Sequence, residues 1–247
     1  MTKYIVKRVL MSLATLLVIL FVLYLMLEFM PGSPFNDEKL TEAQRALLYA
    51  KYGLDQPFMT RFVLYVKNML SGDLGVSYVI NKNFAVAGMV SDRLSVSIRI
   101  GLQAMVLGTA VGLLLGIIAA LKHNTWIDSL CSFISILGVS VPSYVIALGL
   151  AYYVGYKLGW FPIIYNVNKA GASTILPTIA LSLFPCANIA RFTRSELIDV
   201  LGQDYILLAE AKGIKNWKLI IRHALRNALI PIITVMGPLL VGLLTGS

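Results

Sequence analysis

Few side chains in this 247-residue sequence could do bond-making chemistry. His123 and His223 are its two histidines; they lie far apart, with no metal-ligand spacing around either. A structural or interfacial role fits them better than ligation. There is no G-x-x-x-x-G-K-[ST] run, so the usual phosphate loop for ATP is missing. Cys131 and Cys186 both sit inside apolar runs, as small packing residues do. Glu28 and Arg99 fall near the outer ends of apolar runs, where a charged head reaches the interface, and Asp128 falls near the inner end of another. No chain of carboxylates or histidines crosses the middle of those runs, which weighs against a proton-coupled carrier.

What remains is one basic, amphipathic stretch, AEAKGIKNWKLIIRHALRNALIP, from Ala209 to Pro231. Upstream of its glycine, Gln203 to Lys212 reads as a helix, with Asp204 in the first turn and Lys212 in the last, each complementing the dipole. Gly213 supplies a left-handed stop. Asn216 is placed to cap a second helix. On that helix Trp217, Ile220, Ile221, Ala224, Leu225 and Ala228 recur at spacings of three and four, and Lys218, Arg222 and Arg226 form a separate basic row. Such a helix–glycine–helix corner suits three partners: anionic lipid, the ends of its own bundle, or a soluble protein.

The elements that must hold this corner are membrane spans. Hydrophobic residues make up 58% of the chain and charged ones 13%, against about 45–50% and about 25% in soluble domains. The mean hydropathy is +0.79. At this length the excess has one sink, lipid. Five segments are long and apolar enough to cross: about 9–30, 98–121, 127–158, 174–193 and 228–247. The third is long enough to tilt or to break at Pro142. The basic start (Lys3, Lys7, Arg8) precedes an apolar run too long for a signal peptide, so the first span reads as retained.

The net charge of +9 comes from basic residues gathered at span ends, not from a nucleic-acid-binding surface. With the N-terminus inside, segments 1–8, 122–126 and 194–227 hold ten basic residues, against Lys169 alone in 159–173. Segment 31–97 holds seven, but a loop that long is largely exempt from the rule. Five spans then leave the C-terminus outside, and the chain stops within an apolar run, as a truncated protein would. Ala104, Gly108, Gly112, Gly116 and Ala120 form a ridge of small residues at four-residue spacing, which lets another backbone approach closely. Pro142, Pro177, Pro185, Pro231 and Pro238 invite kinks in the later spans.

The corner resembles the cytoplasmic EAA loop of ABC importer permeases, in the form found in the oligopeptide/dipeptide/nickel branch. The matching residues are Gln203-Asp204-Tyr205, Ala209-x-Ala211-Lys212-Gly213 and His223-Ala224-Leu225-Arg226-Asn227-Ala228-Leu229-Ile230-Pro231. Of the E-A-A positions counted back from Gly213, Leu207 and Leu208 depart and Ala209 fits; Glu210 is out of register. His223-x-Leu225-Arg226 stands where the general I-x-L-P would be, as in the peptide branch. Further matches run along the chain: Tyr4-Ile5, Arg8-Val9-Leu10, Pro31-Gly32-x-Pro34, Tyr52-Gly53-Leu54-Asp55-Gln56-Pro57, Gly72-Asp73-Leu74-Gly75-x-Ser77 and Arg191-x-Thr193-Arg194-Ser195.

The resemblance implies an all-α, polytopic helical membrane protein, a bundle like the type I ABC importer permeases, with five spans present and the sixth missing. It divides the chain into 1–30 (cytoplasmic N-terminus and first span), 31–97 (extracytoplasmic loop, facing a binding protein) and 98–247 (permease core, with the coupling loop 194–227). It implies coupling to an ATPase through Gln203, Asp204, Tyr205, Ala209, Glu210, Ala211, Lys212, Gly213, His223 and Asn227. Expected partners are a homologous permease subunit, two cytoplasmic ATPases, an extracytoplasmic substrate-binding protein and the lipid bilayer, with no nucleic acid. No cofactor is expected on this chain; ATP and magnesium would sit on the ATPases. The place is a bacterial or archaeal cytoplasmic membrane, and the cargo a di- or oligopeptide, with nickel or glutathione as alternatives. A membrane anchor or sensory subunit without transport is the rival from another class.

Overall fold

A computed structural model describes residues 2–30, 41–51, 53–77, 81 and 84–246. The Pro31 to Pro34 turn, Tyr52 and the final Ser247 lie outside the described residues. Contacts divide the chain into two compact units, one up to Arg93 and one from Leu94 onward.

In the first unit, α1 (Thr2–Phe29) is apolar around its whole circumference and buries none of its residues. That is how a helix meant for lipid reads. Segment 31–97 is not a plain loop. It contains α2 (Glu42–Lys51), α3 (Phe58–Leu70), a two-stranded ribbon of β1 (Val76–Ser77) and β2 (Phe84–Ala85), and the first turns of α4 (Val86–Leu121). Phe21 of α1 meets Phe58 and Phe62 of α3 edge-on, with ring centroids 5.8 and 5.2 Å apart. Arg61 donates to Glu28 beside them, so Glu28 has a protein partner. Starting at Val86, α4 is longer than the expected span 98–121. The polar run Ser91, Asp92, Arg93 and Ser95 hides its first turns from an apolar window without breaking the helix.

The second unit is built around α8 (Ile175–Leu201). The expected third span is two pieces: α5 (Trp126–Ser140) and α6 (Ser143–Leu150), the latter running on as a π-helical stretch to Lys157. They meet at 94° across Val141 and Pro142, and Pro142 offers no N–H to carry the helix through. Short turns and α7 (Ala170–Ser173) lead into α8. Then follow α9 (Asp204–Ala211), α10 (Asn216–Lys218), a π-helical stretch Leu219–Leu225 and α11 (Arg226–Gly246). Pro231 and Pro238 lie inside α11, and the helix carries on past them. Among the described residues four helices are long and apolar enough to cross a membrane, five if the bent pair counts as one span.

The small-residue ridge of α4 is where the bundle closes. A Cβ placed on Gly108, Gly112 or Gly116 would lie 2.6 Å from the carbonyl oxygens of Ser182, Cys186 and Ala190 respectively. Both helices advance by four residues at each contact, so the two backbones run side by side in the same direction. Thr178 Oγ1 donates to Gln103 Oε1 at 3.1 Å across the same pair.

Candidate functional site

The corner is assembled as the spacing predicts, and in two respects differently. Gly213 adopts φ +76, a left-handed conformation that costs other residues about 1–2 kcal/mol. Its N–H bonds Glu210 O at 2.8 Å, and Ile214 N–H bonds Ala209 O at 3.3 Å. That pair of bonds closes the end of α9 as a Schellman motif, with Ile214 tucked against the core. Asn216 does not cap the second helix. Lys215 holds the cap position, and Asn216 is already helical.

The apolar face of the second helix is also shifted. Trp217 is 70% exposed and Ile221 43%, whereas Leu219, Ala224 and Ala228 are buried. A π-helical stretch bonds across five residues instead of four, so Leu219 and Ala224, five apart, share a face that a 3.6-residue period separates. These residues join Ile206 and Ala209 of α9, Ala120 of α4 and Leu197 of α8 in one core. The corner therefore folds back on the ends of its own bundle, and Trp217 and Ile221 are left outside.

The expected coupling residues divide accordingly. Ala209 is 8% exposed and packs inward. Asn227 Nδ2 donates to Tyr205 Oη at 2.9 Å, tying α9 to α11. Gln203 stands at the start of α9, its amide donating to Asp199 O at 3.2 Å. Asp204, Glu210, Ala211 and Lys212 are exposed, and His223 is half-buried in the π-helical stretch. Leu207 and Leu208, the two positions that depart from the family pattern, point outward beside them.

A second polar cluster escaped the spacing argument. Asp128, in the first turn of α5, is 5% exposed. Arg194 of α8 grips it with two bonds, Nε to Oδ1 at 2.6 Å and Nη2 to Oδ2 at 2.7 Å. The Asn124 N–H donates to Oδ2 at 3.1 Å. His123 Nδ1 lies 3.1 Å from Arg194 Nη2 and accepts from it when the imidazole proton is on Nε2. The available signal was an acid at the mouth of an apolar helix, which needs a cation close by. Nothing in the spacing names a partner 66 positions away.

Comparison with known proteins gives these features a lineage. Residues 112–247 match the family of binding-protein-dependent transport system inner membrane components. The chain is 44% identical over its whole length to 80% of the dipeptide transport system permease protein DppB of Lactococcus lactis. It is likewise 40% identical to 80% of DppB from Bacillus subtilis, and 38% identical to 81% of the oligopeptide transport system permease protein OppB of Escherichia coli. With its apolar helices, it is a multi-pass membrane protein. The chain belongs to the family of binding-protein-dependent transport system inner membrane components.

Proposed function

We propose that this chain is the membrane-spanning permease subunit of an ATP-driven importer of di- and oligopeptides, working by alternating access. The relatives' names favour peptide over nickel or glutathione. In this reading it pairs with a homologous permease subunit, two cytoplasmic ATPases and an extracytoplasmic substrate-binding protein that segment 31–97 faces. The ATPases hold ATP and magnesium, and this chain binds neither. The N-terminus is cytoplasmic, in a bacterial or archaeal cytoplasmic membrane.

The observation that carries the reading is the two-sided corner. Its inner face is sealed on the bundle through Ile206, Ala209, Leu219 and Ala224. Its outer face leaves Leu207, Leu208 and Trp217 exposed, with Lys212, Lys215 and Lys218 around them. An apolar centre with a polar rim is how protein interfaces are composed. Within that face Gly213 sets the turn, and Ala209 supports it from behind. Ala209→Glu would therefore disturb the corner's own packing, and Leu208→Glu is the cleaner probe of docking.

The test is the complete transporter in proteoliposomes, read by peptide uptake and by ATP hydrolysis. Proline cannot take φ +76 and removes the Gly213 N–H, so Gly213→Pro abolishes uptake while the chain remains in the membrane. Leu208→Glu lowers uptake and ATPase stimulation together. Unchanged stimulation in both variants overturns the docking role, and a wild-type complex that takes up nickel or glutathione but no peptide overturns the cargo.

A further inference from the structure

We infer that the Asp128–Arg194 ion pair is a positioning contact that makes α5 and α8 move as one body, so that displacement of the corner reaches the helix break at Val141–Pro142. The inference rests on the importer reading above and assigns residues to its moving part.

The pair joins the two helices at the end nearest the corner. From Arg194, α8 continues for about two turns to Leu201, and only Gly202 and Gln203 then precede α9. A planar guanidinium bonding both carboxylate oxygens fixes orientation as well as distance. The Asn124 N–H holds the same carboxylate from the α4–α5 turn. One helix therefore cannot rotate or slide against the other without breaking two short, charge-assisted bonds beside a buried acid.

The far end of the same helix pair is close-packed. A Cβ on Gly138 would lie 3.0 Å from the Leu183 carbonyl oxygen and 3.2 Å from Ala187 Cβ. Asp128 with Arg194 at one end, and Gly138 with Leu183 and Ala187 at the other, describe two antiparallel helices held at both ends. Directly beyond Gly138 the chain turns through 94°. A cavity of about 130 Å³ opens there, lined among others by Gly138, Pro142, Ser143, Ala180 and Phe184. Non-helical backbone at membrane depth persists only inside protein or against a water-filled cavity. In secondary transporters, discontinuous helices form the substrate site, and a broken helix beside a cavity is a comparable place for access to change here. The break is thus where a shift of the α5–α8 pair would alter access.

Stability alone does not call for this arrangement. An apolar contact would hold α5 on α8 at less desolvation cost, but it would be free to slip. The ion pair adds direction, and it stands between the corner and the break.

The experiment uses the complete transporter in liposomes, with Ser143→Cys as a reporter at the break; the native Cys131 and Cys186 are buried. A membrane-impermeant thiol reagent is applied with and without ATP. In the chain with Asp128 and Arg194 intact, ATP changes the labelling rate by about tenfold. Asp128→Asn loses that change while the complex stays assembled and continues to hydrolyse ATP. Arg194→Lys, which keeps the charge but not the fork, loses it as well, and combining Asp128→Arg with Arg194→Asp restores part of it. The inference is overturned if either single variant keeps the full ATP-dependent change. It also falls if both variants lose the assembled complex, for the pair would then be a stability contact. Failure of the importer reading looks different: a wild-type complex with ATP-dependent labelling and no peptide uptake.

Discussion

Helix α8 is held on two sides by opposite means. Against α4 the contact depends on absent side chains, with Gly108, Gly112 and Gly116 letting carbonyl oxygens of α8 come close. Against α5 it depends on the most polar side chains available, Arg194 and the buried Asp128. The first seam works through dispersion and close backbone approach, which add up over its length. The second is packed as well, at Gly138 against Leu183 and Ala187, and adds a directional ion pair at its other end. Packing alone tolerates small adjustments along the axis, and a bidentate ion pair does not. The same helix can therefore be tightly packed on one side and rigidly indexed on the other.

Three substitutions probe that contrast, in falling order of expected effect. Gly112→Leu forces a branched side chain onto the Cys186 carbonyl, where even its Cβ would stand 2.6 Å away. Overpacking of this kind costs about 3 kcal/mol or more, seen as loss of monodisperse protein in detergent. If a leucine there left the melting temperature unchanged, the close seam would not exist. Asp128→Asn strands Arg194, which is 31% exposed. Solvent relieves part of the penalty, leaving about 1–2 kcal/mol of destabilisation, measurable by thermal unfolding in detergent and smaller than the glycine effect. Thr178→Val removes one hydrogen bond to Gln103 and costs about 0.6 kcal/mol, as interhelical bonds in membranes do. A loss from Thr178→Val as large as that from Gly112→Leu would reverse the assignment of the α4 seam to glycine contact.

How much of this could be read beforehand follows the same division. The glycine ridge was legible because a helix period of four needs no knowledge of the partner. So was the corner, since Gly213 and the flanking helical patterns are local signals. The break near Pro142 was legible as one of two options, because proline reports a missing donor and not the bend angle. The shifted face of 219–225 was not legible. A π-helical stretch changes the period within a few residues, so Trp217 and Ile221 fell on the buried side of a 3.6-residue wheel. The Asp128–Arg194 pair was legible only as an acid in need of a cation. Its partner is fixed by how α5 lies on α8, which is a tertiary fact.

The repeat in the α4–α8 seam has a consequence for alignment. Its contacts recur every four residues, so a displacement of about 6 Å along the axis would bring Gly108 to where Gly112 now stands, facing an equivalent carbonyl. The same step would carry Ala104 to the place of Gly108, where a Cβ stands 2.6 Å from the Ser182 carbonyl oxygen, so the alanine that ends the row blocks the slip. The non-repeating Gln103–Thr178 bond, at the same end of the row, marks the register a second time.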